Sequence, residues 1–254
     1  MKLLLVQPRL SYAPDADNLG VVTQVVERFA SDLDDGDVLL LPEHYDLRED
    51  RDAYEAGVRD LARRLGTNVV GGSHHERRGD GRVNSGVVAN ARGEITARYE
   101  KVRPYATERQ RVADGTEFGE LSVAGHAVLV LICADFWFSD LFARATALPD
   151  IVLVPALSVT RKPTPDYSRA LWRHLAVSRA YEFGTYVGVS DWAHVPTPEH
   201  LFASGVGGLA DPTTADPETF FTPITGDARL YDLDFERLSE FRRDRQARGF
   251  FWKT

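Results

Sequence analysis

Short runs of Val, Leu and Ile alternate along this chain with longer stretches whose apolar positions recur every three or four residues. The short runs read as buried strands and the longer stretches as amphipathic helices. Strands are predicted over residues 3–6, 38–41, 68–73, 82–90, 94–101, 127–133, 151–154, 185–189, 203–209 and 228–233. A first helix is expected from a cap at Asp17 or Asn18 to about residue 30, with Val21, Val22, Val25 and Val26 as its apolar stripe. Further helices are expected over 52–65, stopped by Gly66, over 166–182, stopped by Gly184, and over 234–246, with a short one after Ser139. Asn90-Ala91-Arg92-Gly93 predicts a hairpin turn, and the Pro-rich pieces 160–165 and 212–223 read as surface loops. Alternating strands and helices imply a mixed α/β fold with helices covering sheets on both sides. There is no internal repeat and no linker-like stretch, so residues 1–254 are expected to form one domain.

Composition narrows the class of partner. The formal net charge of −8 argues against a nucleic-acid partner, which calls for a basic face. The first apolar run is too short for a signal segment or a membrane span, and no other run approaches the length needed to cross a bilayer, so no membrane partner is expected. Cys133 is the single cysteine, which precludes an internal disulfide and fits a reducing cytoplasm.

Chemistry-bearing residues stand at three predicted strand ends. Glu43 closes the run that begins at Val38, Lys101 closes residues 94–101, and Cys133 closes residues 127–133. Strand ends are where α/β enzymes gather reactive groups. Taken singly, each has a plainer reading: a small buried thiol, a turn carboxylate, a solvated lysine. Lysine is scarce, at positions 2, 101, 162 and 253, which makes Lys101 more notable.

Together these residues resemble the nitrilase superfamily of carbon–nitrogen hydrolases. Leu41-Pro42-Glu43 is similar to the segment around that family's general base. Tyr99-Glu100-Lys101 is similar to its lysine segment, and Cys133-Ala134-Asp135-Phe136-Trp137-Phe138 to its nucleophile segment. Glu108 with Val112 and Gly115 resembles the second-glutamate motif, Asn84-Ser85 the middle-strand pair, and Trp172 with Ser178-Arg179-Ala180-Tyr181-Glu182 the long helix. The chain departs from the family pattern at Ser139-Asp140, where Pro-Glu is usual, and at Gly207, where Ser is usual.

The resemblance implies a four-layer α-β-β-α sandwich, commonly paired as a homodimer, with no cofactor and no metal. It implies Cys133 as nucleophile, Glu43 as general base, Lys101 as oxyanion partner and Glu108 as the glutamate that orients lysine and amide. The N–H of Ala134 is the natural second oxyanion donor. Trp137 and Tyr45 are candidate substrate-binding residues beside it, Tyr45 and His44 because they directly follow Glu43. Arg161, Lys162 and Arg173 are candidates for binding a substrate carboxylate.

Two other signals carry less. Gly205-x-Gly207-x-x-Ala210 lacks the helix that a dinucleotide site requires. His74-His75 has no further ligands at zinc-site spacing in the sequence. Asp135 is expected to bond backbone N–H groups, and Glu182 to brace its helix. The expected activity is hydrolysis of a small amide through a cysteine thioester. An N-carbamoyl hydrolase, a nitrilase, an acyltransferase with an amine acceptor and a silent binding module are the alternatives.

Overall fold

A computed structural model describes residues 1–13, 15–160, 162–195 and 202–251. Two sheets lie face to face. The first has the order β15-β1-β2-β3-β5-β4, with β6 also paired to β5. Its strands are β1 (Lys2–Val6), β2 (Val38–Leu40), β3 (Asn68–Val70), β4 (His74–Arg78), β5 (Gly81–Ala89), β6 (Ile95–Glu100) and β15 (Ala228–Asp232). The second has the order β14-β13-β11-β9-β8-β7. It comprises β7 (Gly119–Val123), β8 (His126–Val130), β9 (Ile151–Pro155), β11 (Tyr186–Ser190), β13 (Gly208–Ala210) and β14 (Phe221–Pro223). A two-residue pair, β10 (Val159–Thr160) with β12 (Phe202–Ala203), stands apart.

Period-two alternation divides the core. Leu3, Leu5, Val38, Leu40, Val70 and Val88 point toward the second sheet, into a cluster with Val128, Val130, Ile151 and Leu153. Leu4, Val6, Leu39, Leu41, Val69 and Val87 point the other way, onto α1 (Asn18–Glu27) and α2 (Arg51–Leu65). On the far side, Trp172, Ala176, Ala180 and Phe183 of α4 (Asp166–Phe183) cover the second sheet. The layers are helix, sheet, sheet, helix, as the resemblance implied. α3 (Ser139–Arg144) and α5 (Phe235–Ala247) complete the helices, and Asp17, Asp50 and Asp234 cap α1, α2 and α5 through their side chains.

Several boundaries differ from expectation for physical reasons. β8 ends at Val130, and Cys133 begins a 3-10 turn through Trp137, so the thiol lies beyond its strand rather than in it. The stretch 203–209 splits into β12 and β13 around Gly205, whose φ of 66° breaks an extended run. The expected loop 212–223 contains β14, which pairs with β13 through Phe221 and Ala210. The strands β4 and β7 lack the apolar runs that mark the others, because each has one exposed face.

Ser190 ties the sheets together where the site begins. Its buried hydroxyl donates to the Leu40 carbonyl at 2.8 Å and accepts from the Val6 N–H at 3.0 Å. Each such bond contributes about 1 kcal/mol and fixes β11 against β1 and β2.

Candidate active site

Glu43, Lys101 and Cys133 each follow a different strand, β2, β6 and β8, and the fold brings all three strand ends together. Lys101 is the hub. Its ammonium, 2% exposed, donates to Glu43 at 2.7 Å and to Glu108 at 2.6 Å. Asn84, on β5, donates to the same two carboxylates, at 2.9 Å to Glu43 and 2.8 Å to Glu108. Lys101 and Asn84 thus hold two carboxylates in one buried square.

Cys133 sits with φ at 48°, a left-handed conformation that non-glycine residues rarely take. The 3-10 turn that it opens places the Ala134 N–H at a helix start, where N–H groups lack intrahelical partners. The thiol faces two acceptors, the Leu157 carbonyl at 3.6 Å and the Glu43 carboxylate. Asp135, fully buried, accepts from the N–H groups of Val102 and Arg103, both at 2.9 Å. It therefore binds backbone, as expected, but the backbone that follows Lys101 rather than its own turn. This clasp sets the turn at Cys133 against Lys101.

The second-glutamate motif has a structural reason. Val112, 5% exposed, anchors the loop after Glu108, and its N–H returns to the Glu108 carbonyl at 2.9 Å. Gly115 then passes so close to Lys101 that a Cβ would lie 2.5 Å from the Lys101 carbonyl oxygen. Gly72 performs the same service behind Glu43, with φ at 63° and only 2.1 Å between a built Cβ and the Pro42 carbonyl oxygen.

Electrostatics follow from burial and pairing. Burial works against the Lys101 ammonium, but Glu43, Cys133 and Glu108 outweigh it and raise its pKa above the usual lysine value. Burial also opposes the Glu108 anion, yet hydrogen bonds from His75 and Lys101 drive its carboxyl well below the usual range. The Cys133 thiol is pushed up, first by burial and then by Glu43, against the pull of Lys101. At rest, then, the sulfur is protonated. Burial raises Asp135 to about 6, with the two N–H groups opposing.

Some expected residues go elsewhere. Tyr45 is a correction: it is fully buried in the cluster between the first sheet and its helices, 6.1 Å from the ring of Tyr54, because its side chain leaves the backbone on the face opposite the site. Trp137 ends the turn that Cys133 opens, 41% exposed and edge-on to Trp172 at 5.6 Å. Lys162 lies over the ring of Tyr167, and Arg173 is exposed on α4; neither bonds to the cluster among the described residues. Arg161 lies outside the described residues. Glu182 pairs with Arg179 at 2.9 Å and braces α4.

Other residues join without having been singled out. Trp192, 3% exposed, donates its indole N–H to the Glu43 carbonyl at 2.7 Å and stacks on Tyr12 at 4.7 Å. Tyr12 is 53% exposed, but its hydroxyl end is raised in pKa by burial, Glu43, Asp191 and Cys133 in that order, which puts it at the mouth. Neither carries a local sequence signal. Asn84 had one, its place in the Asn-Ser pair, but no role.

His75 also acquires neighbours that its sequence spacing hid. With His44 and Glu108 it forms a set whose candidate ligand atoms lie within 4.8 Å of one another. The donors suit a zinc-class ion, but the arrangement fits one poorly. The two imidazole centroids are 3.7 Å apart, whereas rings sharing an ion through bonds of about 2.1 Å stand roughly 5 Å apart. Lys101 already occupies the Glu108 carboxylate.

Comparisons with known proteins bear on the family and the fold. The sequence profile described as "Carbon-nitrogen hydrolase" matches residues 5–240. A 2-oxoglutaramate amidase of Bacillus subtilis (strain 168) is 25% identical over 216 residues, covering 80% of each chain. A branch 10 member of the nitrilase superfamily from Saccharomyces cerevisiae superposes with a TM-score of 0.79 at 20% identity, covering 96% of this chain and 93% of that one. A CN-hydrolase superfamily protein of Xanthomonas campestris gives 0.78 at 20% identity, with 97% and 95% covered. An amidase from Nesterenkonia sp. gives 0.72 at 20% identity, with 99% and 96% covered. From its first strand into its last helix, this chain belongs to the carbon–nitrogen hydrolase family.

Proposed function

We propose that the protein is a thiol-dependent amidase that hydrolyses a small non-peptide amide and releases ammonia. The observation that carries this reading is the charge order of the site: a neutral buried thiol, a carboxylate in reach of it, and an ammonium fixed between that carboxylate and a second one. The amidases of Bacillus subtilis and Nesterenkonia support the substrate class.

As Cys133 sulfur attacks the amide carbon, its proton passes to Glu43, so no free thiolate has to be stored in a buried site. The carbonyl oxygen becomes an oxyanion between the Lys101 ammonium and the Ala134 N–H. One such donor supplies about 3–4 kcal/mol of transition-state stabilisation. Glu43 then protonates the leaving nitrogen, the carbon–nitrogen bond breaks, and ammonia departs from a Cys133 thioester. Glu43 next takes a proton from water, whose oxygen attacks the thioester carbon; the carboxylic product leaves and the thiol is restored. Lys101 cannot act as base while two carboxylates hold it protonated. Glu108 keeps it in place, with both of its oxygens already taken by His75, Asn84, Lys101 and the Tyr105 N–H. Trp137, Tyr12 and Trp192 form the approach.

The test is ammonia release from small amides, ω-amides of keto acids, N-carbamoyl amino acids and nitriles by the wild type and by Cys133→Ala. Release by the wild type alone, with amides preferred, is expected. Turnover that survives in Cys133→Ala refutes the mechanism. Preference for carbamoyl compounds or nitriles moves the assignment to those branches, and acyl transfer to hydroxylamine without hydrolysis moves it to a transferase.

A further inference from the structure

His44 and His75 are used by none of the steps above, yet they touch the site. His75 is on β4, and its Nε2 lies 3.0 Å from Glu108 Oε1 and 2.7 Å from His44 Nε2. His44 directly follows Glu43 and is held with φ at 58°, a left-handed conformation that aims its ring at His75 rather than along the chain.

Counting protons decides how this contact works. Glu108 already accepts from Lys101 Nζ, Asn84 Nδ2 and the Tyr105 N–H, so it is an anion and only an acceptor. His75 Nε2 must then carry the hydrogen that faces Glu108. His44 Nε2, 2.7 Å from the same nitrogen, has to present a lone pair, with its own hydrogen on Nδ1. The contact has room for one proton. A second would set two N–H groups against each other at that distance.

We propose that His75 is a positioning residue for Glu108, and that His44 enforces its donor state, so that a second proton on the imidazole pair loosens the glutamate that holds Lys101. This inference rests on the amidase reading only where turnover is measured. The charged and titratable groups near the pair are Glu108, Lys101 and His74, of which Glu108 and Lys101 face it. Burial first, then His75, Lys101 and His74, lower the His44 pKa against the opposing Glu108, so His44 is neutral at neutral pH. His74 faces away from the pair: its Nδ1 lies on the Arg48 carbonyl, and its ring stacks on Tyr54. A second proton on the pair sets two N–H groups against each other across 2.7 Å, and the contact then opens at the partly exposed His75.

The experiment uses full-length protein with labelled histidine. Long-range proton–nitrogen NMR at about pH 7.5 is expected to show one histidine with its hydrogen on Nε2 and its neighbour with hydrogen on Nδ1, assigned through His75→Gln and His44→Gln. Both signals showing the same tautomer overturns the inference without reference to any substrate. Ammonia release and iodoacetamide labelling of Cys133 are then followed against pH. His75→Ala is expected to lower kcat about tenfold with KM within about twofold, as loss of one charge-assisted donor implies. His75→Gln, which keeps a donor but cannot gain a proton, is expected to retain kcat to lower pH than the wild type. Identical kcat and pH profiles in the wild type and both His75 variants overturn the positioning role. If no amide turns over, the amidase reading fails on its own, and unchanged labelling profiles in both variants then refute the inference.

Discussion

Replacing Lys101 by Met keeps the apolar stem and removes the one charge between two buried carboxylates. Lys101 is 2% exposed and lies 2.7 Å from Glu43 and 2.6 Å from Glu108. Water screens little at that depth, and removing one partner of a buried ion pair costs about 3–5 kcal/mol. Asn84 still donates to both carboxylates in the variant, which places the expected loss near the middle, about 4 kcal/mol. For a chain of this length that lowers Tm by about 10 °C. The loss has a pH sign. Without the ammonium, Glu43 and Glu108 face each other, and one of them holds a proton above the usual carboxylate range. A carboxyl whose folded-state pKa exceeds its unfolded value recovers stability as pH falls through the folded value. The deficit is therefore largest above about pH 7 and narrows toward about pH 5. Adding Glu43→Gln to Lys101→Met removes one stranded charge, so the double variant is expected to be more stable than the sum of the singles by about 2 kcal/mol. Calorimetry of the wild type, both singles and the double across this pH range measures each quantity. A loss below about 1 kcal/mol, as exposed pairs show, or additivity within about 0.5 kcal/mol, would refute the reasoning.

Two further predictions concern the frame around the site. Asp135→Asn leaves one of the Val102 and Arg103 N–H groups facing a donor, and the pH dependence of its stability relative to the wild type is diagnostic. Because burial holds the wild-type carboxyl up at about 6, acid favours the folded wild type, whose advantage over the variant is expected to grow by up to about 3 kcal/mol from pH 7 to 4 in urea titrations; a flat difference refutes the assignment. Gly72→Ala pairs a left-handed φ with a clash against the Pro42 carbonyl, so a loss of at least about 2 kcal/mol in urea unfolding and displacement of Glu43 are expected; unchanged stability and turnover would show that this turn yields easily.

Much of this protein is legible along the chain. The runs at Leu3, Val38, Val128 and Ile151 declare buried strands because both faces of each strand are covered, by a sheet on one side and by a sheet or helices on the other. The aspartates at 17 and 234 and the glycines at 66 and 184 declare helix ends because they act on backbone groups next to them. Short motifs drew attention to Glu43, Lys101, Glu108 and Cys133 because each marks a strand end or the loop that follows one.

Three-dimensional packing decided the rest. Tyr45 stands two residues from Glu43, a spacing that shares a face in a strand, yet falls on the opposite face, because the chain turns at His44, whose φ is 58°. β4 and β14 escaped notice because their stability comes from partners across the sheet rather than from an apolar run. Trp192 meets Tyr12 at the site because Ser190, with the N–H groups of Asp191 and Ala193, fastens the segment around β11 to β1 and the residues after it. His75 meets Glu108 across 33 positions and His44 across 31, and no local pattern encodes contacts of that range. The sequence by itself marked the residues proposed to carry the chemistry. Only the tertiary structure decided which of them share a proton, because hydrogen bonds depend on distance in space.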